Sequence, residues 1–314
     1  MHIQRGAWAE INLDAVAHNV QMAKANLKPT TKLCAVVKAD AYGHGAVRVA
    51  QEAARNGADF FAVALLQEGV KLREAGIETP ILVLGSMLPE VAEICVRYDI
   101  SHAVFDEERL YALNAAALKL HTKAKIHIKI DTGMHRIGVH VRDAGRFAKL
   151  AASLPGIYIE GVFSHFATAD ADDKQYAAYQ FERFQEALRL IEAEGVHIPI
   201  RHIANSAALT ELQEYQLDMV RQGITLYGLH PAHMIDCYKD FEPVMTVKTQ
   251  VAFVKTLPPG ETIGYGRTYT LTRPSVIATV PIGYADGVSR RLSNRGYMLV
   301  NGKKAPIIGR VCMD

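Results

Sequence analysis

The chain has 314 residues, 49% of them hydrophobic and 22% charged, enough for a sizeable core in one large domain or in a large and a small one. A net charge of +2, with no basic run or stripe, gives no reason to expect a nucleic-acid or membrane partner. The opening MHIQRGAWAEINLDAV lacks an apolar core of signal-peptide length and no later stretch approaches membrane-spanning length, so a cytoplasmic location is the expectation.

Taken in chain order, AWAEINL reads as a strand that precedes the main fold. From about residue 30 to 235 short apolar strands then alternate with helix-like segments. The strands are KLCAVVK, FFAVAL (60–65), ILVLG (81–85), HAVF (102–105), IHIKID (126–131), YIEGVFSHF (158–166), IRHIANS (200–206) and DMVRQG (218–223). Between them lie segments rich in Ala, Glu, Leu and Arg, such as VRVAQEAARNG and QYAAYQFERFQEALRLIEAEG, several closing on glycine as expected just past a helix C-terminus. Eight strands alternating with helices predict an α/β fold, a (β/α)8 barrel, with an open doubly wound sheet as the alternative. No GxGxxG follows the first strand, which weakens a dinucleotide-binding version.

After about residue 240 the chain turns β-rich, with turn signals at Pro258-Pro259-Gly260 and Asn301-Gly302. This predicts a barrel over 1–238 and an all-β domain over 239–314, with a boundary near 236–241. Residues 1–11 are free to pair with that second domain. The chain stops at Val311-Cys312-Met313-Asp314, directly after an apolar strand, so the β domain is expected to be incomplete and the chain truncated. Cys34, Cys95, Cys237 and Cys312 are scattered with no ligand spacing and read as reduced thiols. Thirteen histidines form no HExxH or comparable cluster, so no metal is expected.

Chemistry in a barrel sits at the C-terminal ends of the strands. The first such end, AVVKADAYGHG (35–45), delivers Lys38 into a polar, glycine-containing turn with Tyr42 and His44. Loss of hydration there disfavours an ammonium and frees the amine for nucleophilic or Schiff-base chemistry. Later strand ends supply Lys129, Asp131 and Arg136, then Ser164 and His165, Asn205 and Ser206, and Arg221, Gly223 and Ile224. A hydroxyl and backbone N–H groups opening a helix, as at Asn205-Ser206, form an anion site, and Gly223-Ile224 add further donors. Singly each has an ordinary reading: Lys38 a strand-ending surface lysine, Ser206 a helix cap, Arg221 a surface ion pair, His165 a hydrogen-bonded structural histidine. Together they describe a reactive amine, a phosphate cradle and a cation beside a heterocycle, which is what pyridoxal phosphate requires.

The chain resembles the alanine racemases, fold-type III pyridoxal phosphate enzymes, along its whole length. The segments AVVKADAYGHG, KIDTGMHRIG, HFATAD, ANSAAL, VRQGITLYG, GYGRTY, PIGYADG and GRVCMD match family segments in the right order. The resemblance implies two-base interconversion of L- and D-alanine, supplying peptidoglycan, in a cytoplasmic homodimer with active sites shared between subunits. It implies that Lys38 holds pyridoxal 5′-phosphate covalently and serves as the base on the D-alanine face. Tyr265, from the partner subunit, is the opposite base. Arg136 and the backbone of Met313, also from across the dimer, bind the substrate carboxylate. Arg221 faces the pyridine nitrogen, and His165 links it to the tyrosine. Tyr42, Ser206, Gly223 and Ile224 hold the phosphate. Lys129 matches a lysine carbamylated in some members and paired with Arg136, and Tyr284 matches a residue of the substrate entrance. Family members usually run several dozen residues beyond GRVCMD. The alternatives are a broad-specificity racemase, another fold-type III enzyme, and a pyridoxal phosphate homeostasis protein consisting of the barrel alone. Arg221 argues against the decarboxylases and Tyr265 against the carrier.

Overall fold

The computed structural model describes residues 6–231 and 238–314; Cys237 and the 236–237 part of the expected boundary lie outside the described residues. The chain divides into two compact units, one formed by Asn12–Val244 and the other by Met245–Asp314 with the segment ending at Ile11.

The larger unit is a nearly closed parallel barrel. Strand β1 (Ala7–Ile11) precedes it, and its own strands are β2 (Lys32–Val36), β3 (Phe60–Val63), β4 (Ile81–Val83), β5 (Ser101–Val104), β6 (Ala124–Asp131), β7 (Val139–His140), β8 (Ile157–Phe163), β9 (Ile200–His202) and β10 (Met219–Gln222). Eight of them pair in parallel in the order β10-β2-β3-β4-β5-β6-β8-β9, and β7 adds to the end of β6. The two ends of that order meet through Asp218 N–H to Arg201 O and Arg221 N–H to Ala204 O, both 3.1 Å. A bidentate ion pair of Arg201 with Asp218, at 2.6 and 3.1 Å, reinforces the seam.

Helices cover the outside, so the strands are buried on both faces and read as continuous apolar runs. Every residue of strands β3, β4 and β5 is buried. Alternate residues, Cys34 and Val36, Phe60 and Ala62, with Leu82, Ile200 and Met219, pack into one cluster on the face that also carries Arg221. Full burial of a side chain such as Leu82 contributes about 1.5–3 kcal/mol.

The smaller unit is built from antiparallel pairs. Strand β1 pairs with β11 (Met245–Thr249), β12 (Phe253–Leu257) with β15 (Ser275–Thr279), β13 (Thr262–Ile263) with β14 (Tyr269–Thr270), and β16 (Tyr297–Val300) with β17 (Lys303–Pro306). Asn301 (φ 49°) and Gly302 (φ 75°) form the two-residue turn between β16 and β17, where both central residues need positive φ.

A single buried asparagine fastens the end of the larger unit to its beginning. Asn19, on the helix Leu13–Ala25, donates to Leu226 O at 3.1 Å and Glu242 O at 2.8 Å. It accepts from Glu242 N–H at 2.8 Å, and its own carbonyl accepts from Gln222 Nε2 at 3.0 Å. Asn19→Leu fits the volume but strands three of these groups, each costing about 1–3 kcal/mol when buried unpaired. The expected result is a lower urea midpoint at unchanged slope; an unmoved midpoint counts against this closure.

Candidate active site

Lys38 stands half-buried at the end of β2, and the chain behind it turns the wrong way for L-residues. Ala39, Asp40, Ala41 and Tyr42 all lie at φ between 51° and 55°, a left-handed helical turn, where the sequence suggested only a polar turn. Each such residue costs about 1–2 kcal/mol, so the surroundings must hold the turn. The Glu68 carboxylate, from the helix Leu66–Glu74, accepts from Ala39 N–H at 2.5 Å, Ala64 N–H at 2.8 Å and Leu65 N–H at 3.0 Å. Asp40 accepts from Ala46 N–H at 3.0 Å and pairs with Lys71 at 3.3 Å; the Ala46 bond comes first among the causes that hold its carboxyl below the ordinary range. Tyr227 packs its ring 4.8 Å from Tyr42 and 4.5 Å from His44, and its hydroxyl donates to Val36 O at 2.9 Å. The reversal carries the Tyr42 hydroxyl to Gly223, just past the end of the neighbouring strand β10.

A cavity of about 570 Å³ opens at this mouth. Lys38, Tyr42, Lys129, Arg136, His165, Asn205, Ser206, Arg221, Gly223 and Ile224 all line it. Ten of the thirteen residues expected from sequence to bind cofactor or substrate, to act as bases or to support them therefore share one site. Asn205, not Ser206, caps the short helix Ser206–Glu211, accepting from Ala208 N–H at 3.1 Å. Ser206 instead accepts from Gly223 N–H at 2.8 Å, which ties the helix start to the turn after β10. Among the described residues, the amides of Ser206, Ala207 and Ile224 have no protein acceptor. A Cβ on Gly223 would come 3.2 Å from the Tyr42 hydroxyl and 3.7 Å from Ser206 Oγ. Glycine thus keeps open a cradle ringed by hydroxyl and amide donors, a fit for a phosphate group.

Arg221 is 3% exposed, so the surface ion pair is not what it makes. Its Nη1 donates to His202 Nδ1 at 2.7 Å; its Nη2 donates to Ser164 O at 2.8 Å, His165 Nδ1 at 2.9 Å and Ile203 O at 3.0 Å. Burial lowers it to about 10, so it remains charged at neutral pH. His165 is held well below the ordinary imidazole value, first by burial and then by Arg221, Lys129, Arg136 and Lys38. Because Arg221 can only donate, His165 accepts at Nδ1 and carries its proton on Nε2.

Lys129 is 3% exposed and donates to Ile130 O at 2.7 Å, with Nζ 5.4 Å from the centre of the Phe163 ring. Burial, then Arg221, pulls it down to about 7. Arg136 lies on a loop folded by Asp131, which accepts from Gly133 N–H and His135 N–H, both at 3.0 Å. A lysine amine, a permanent guanidinium donor and an anion cradle around one cavity suit pyridoxal 5′-phosphate.

The smaller unit groups the remaining three residues. Tyr265 is 74% exposed and opens a short turn between Gly264 and Gly266, both at positive φ. It lines a second pocket with Tyr284, Arg290, Arg310 and Val311–Asp314. Tyr284 N–H donates to Cys312 O at 2.9 Å and Ala285 N–H to Met313 O at 3.0 Å, which fixes Tyr284 beside Met313. Sequence reasoning missed Glu68 and Tyr227, whose sole trace was a glutamate three residues into a helix and an aromatic in ITLYG.

Two family models match: alanine racemase, N-terminal domain, over residues 11–231, and alanine racemase, C-terminal domain, over 244–314. An alanine racemase of Desulfovibrio desulfuricans is 46% identical over 310 residues, covering 99% of this chain and 84% of that protein. One from Halothermothrix orenii is 48% identical over 312 residues, with 99% and 82% covered. Among solved structures, the alanine racemase of Clostridium difficile superposes with a TM-score of 0.94 at 39% identity, covering 100% of this chain and 82% of the other. That of Bacillus anthracis, solved with bound L-Ala-P, gives 0.92 at 39% identity, with 100% and 82% covered. The chain belongs to the alanine racemase family, pyridoxal 5′-phosphate-dependent isomerases that interconvert L- and D-alanine.

Proposed function

We propose that Lys38 and Tyr265 are the two bases of this racemase, that Lys38 is the residue joined to the cofactor, and that the active unit is a cytoplasmic homodimer supplying D-alanine for peptidoglycan. The observation that carries the residue assignment is the convergence of Lys38, the Gly223 cradle and Arg221 on one cavity at the barrel mouth. Pyridoxal 5′-phosphate, when bound, supplies an aldehyde for amines and a ring that withdraws electrons from the substrate α-carbon.

The chain's own residues divide the remaining work. Tyr42, Ser206, Gly223 and Ile224 bind the phosphate, with Asn205 holding the helix start in place. Arg136 and the Met313 backbone bind the substrate carboxylate, and Tyr284 borders the entrance. Arg221 faces the pyridine nitrogen as a donor only. It has no lone pair to take a proton and none to spare for stabilising a protonated ring, so electron withdrawal stays weak and proton exchange is favoured over side reactions. Racemisation takes a proton from one face of the α-carbon and returns one to the other, so one base on each face is needed. Lys38 serves the D-alanine face. Tyr265 serves the L-alanine face from the partner subunit; its high exposure on the smaller unit, beside Tyr284 and Met313, supports delivery to a second copy. His165 links Arg221 to that tyrosine through the Nε2 proton left free by its bond to Arg221.

Lys129 has a role of its own. With its amine titrating near 7, a substantial fraction is neutral at physiological pH. A neutral amine adds to carbon dioxide, forming an N–C bond and releasing one proton, and the resulting carbamate would neutralise Arg136.

Given cofactor and L-alanine, the protein is expected to produce D-alanine, and borohydride reduction with peptide mapping should place the adduct on Lys38. Lys38→Ala should show neither, and an adduct on another residue overturns the assignment. Tyr265→Ala should slow α-proton exchange from L-alanine by about 100-fold or more, and from D-alanine much less. Mixing it with Lys38→Ala should restore activity through mixed dimers carrying one intact site; no recovery argues against shared sites. Under a fixed pressure of 13C-labelled carbon dioxide, a carbamate carbonyl signal should grow as pH rises through about 7 and the Lys129 ammonium gives up its proton. Lys129→Met should abolish that signal; its persistence would locate the carbamate elsewhere.

A further inference from the structure

Behind Arg221 runs a chain of buried polar groups that the reaction itself does not use. His202 Nδ1 accepts from Arg221 at 2.7 Å. His202 Nε2 lies 2.9 Å from His127 Nδ1, and His127 Nε2 lies 3.0 Å from Glu160 Oε2. Ser101 Oγ donates to the same carboxylate oxygen at 2.5 Å. Both imidazoles are fully buried, and the Glu160 side chain is 13% exposed.

The protons along this chain have one arrangement. A guanidinium can only donate, so His202 accepts at Nδ1 and carries its proton on Nε2. That proton points at His127 Nδ1, which therefore accepts, so His127 also carries its proton on Nε2 and donates it to Glu160. An ionised carboxylate can only accept, so the far end demands the same polarity as the near end. Burial acts to raise Glu160, but the bonds from His127 and Ser101 outweigh it and leave the group below the ordinary carboxylate range.

The barrel is shaped around these groups. Strands β6 and β8 slip register between Ile126 and His127, which leaves Glu160 as the extra residue between Ile159 and Gly161. A Cβ on Gly161 would overlap the His127 imidazole. The His202 ring stacks on Phe163 at 4.9 Å with planes 5° apart. Placing two imidazoles and a carboxylate in a barrel core is costly against apolar packing, and here all four ring nitrogens and one carboxylate oxygen are engaged. Among the described residues no carboxylate touches Arg221; Glu160 is the one reached through its hydrogen bonds.

We infer that His202, His127 and Glu160 form a one-way hydrogen-bond relay that orients Arg221 from behind, making Glu160 a positioning residue for the racemisation. With Nη1 tied to the relay and Nη2 to Ser164, His165 and Ile203, the Nε–H and one Nη1–H have no acceptor among the described residues. The inference rests on the reading that Arg221 faces the cofactor ring.

The test is long-range 1H–15N correlation on holoenzyme labelled at histidine, which reads the tautomer of each ring. His127 and His202 should both appear as pure Nε2–H forms in the wild type; an Nδ1–H form or a mixture at either overturns the relay, and this arm needs no variant to fold. Glu160→Leu should release His127 into a tautomer mixture, shift the absorption band of the bound cofactor, and lower kcat about tenfold with KM within about twofold. Glu160→Gln, which keeps an acceptor in place, should retain the wild-type tautomers and band. Unchanged tautomers, band and kcat in Glu160→Leu overturn the proposal. Arg221→Lys separates the two readings. A band moved by Arg221→Lys but not by Glu160→Leu sinks the relay and leaves Arg221 at the ring, whereas a band unmoved by Arg221→Lys removes Arg221 from the ring and the relay's role with it.

Discussion

A permanent positive charge buried at the mouth of a barrel, with no carboxylate among the described residues against it, constrains everything around Arg221. Such a charge survives burial only if its donors are all directed at acceptors or at a ligand. Three carbonyl and imidazole acceptors hold Nη2, a histidine holds Nη1, and the remaining N–H groups have no acceptor among the described residues. The arrangement therefore has a direction, from the strands behind the guanidinium towards the cavity in front of it. It also dictates proton positions on its neighbours, since a group that cannot accept forces every partner to do so.

The left-handed turn after Lys38 meets the opposite difficulty, strain rather than desolvation. Four residues without glycine adopt positive φ, at a cost comparable to a good part of a domain's net stability. Three amide bonds to Glu68 and the clamp of Tyr227 offset that cost. What the strain achieves is a change of direction: an ordinary right-handed turn would carry Tyr42 along the outer helix, whereas the reversed one brings its hydroxyl beside Gly223 and Ser206. Amine and cradle are thus set by one short segment and the end of the neighbouring strand β10.

These two constraints also mark what could and could not be read from the residues. The strands were legible because burial on both faces leaves continuous apolar runs, and the polar residues at their ends were legible because they interrupt those runs. The handedness of the Lys38 turn was not, since Ala-Asp-Ala-Tyr carries no local signal for positive φ; Glu68 and Tyr227, distant in sequence, impose it. Ser206 looked like the helix cap, yet Asn205 caps and Ser206 binds the Gly223 amide, a choice settled by where β10 ends. His127, Glu160 and His202 lie on three separate segments, IHIKID, YIEGVF and IRHIANS, with nothing in the sequence to join them. Their connection depends on a one-residue slip between β6 and β8 that no strand pattern announces.

The cavity gathers Lys38, Lys129, Arg136 and Arg221, four potential cations, around His165. Left alone, so many like charges in a space of low polarity repel, and the repulsion is relieved by proton loss at the most deeply buried titratable amine. Lys129 is that group, brought near 7 by burial and by Arg221, while Arg221 itself stays charged because a guanidinium begins so much higher. The same field keeps His165 neutral, and neutrality is what allows it to accept from Arg221 and still present a proton on its other nitrogen. A pocket that sheds its weaker cation and retains its strongest selects for anions entering from outside. A phosphate and a carboxylate arriving together satisfy it far better than either alone, and that is the ligand set of an amino acid meeting pyridoxal 5′-phosphate.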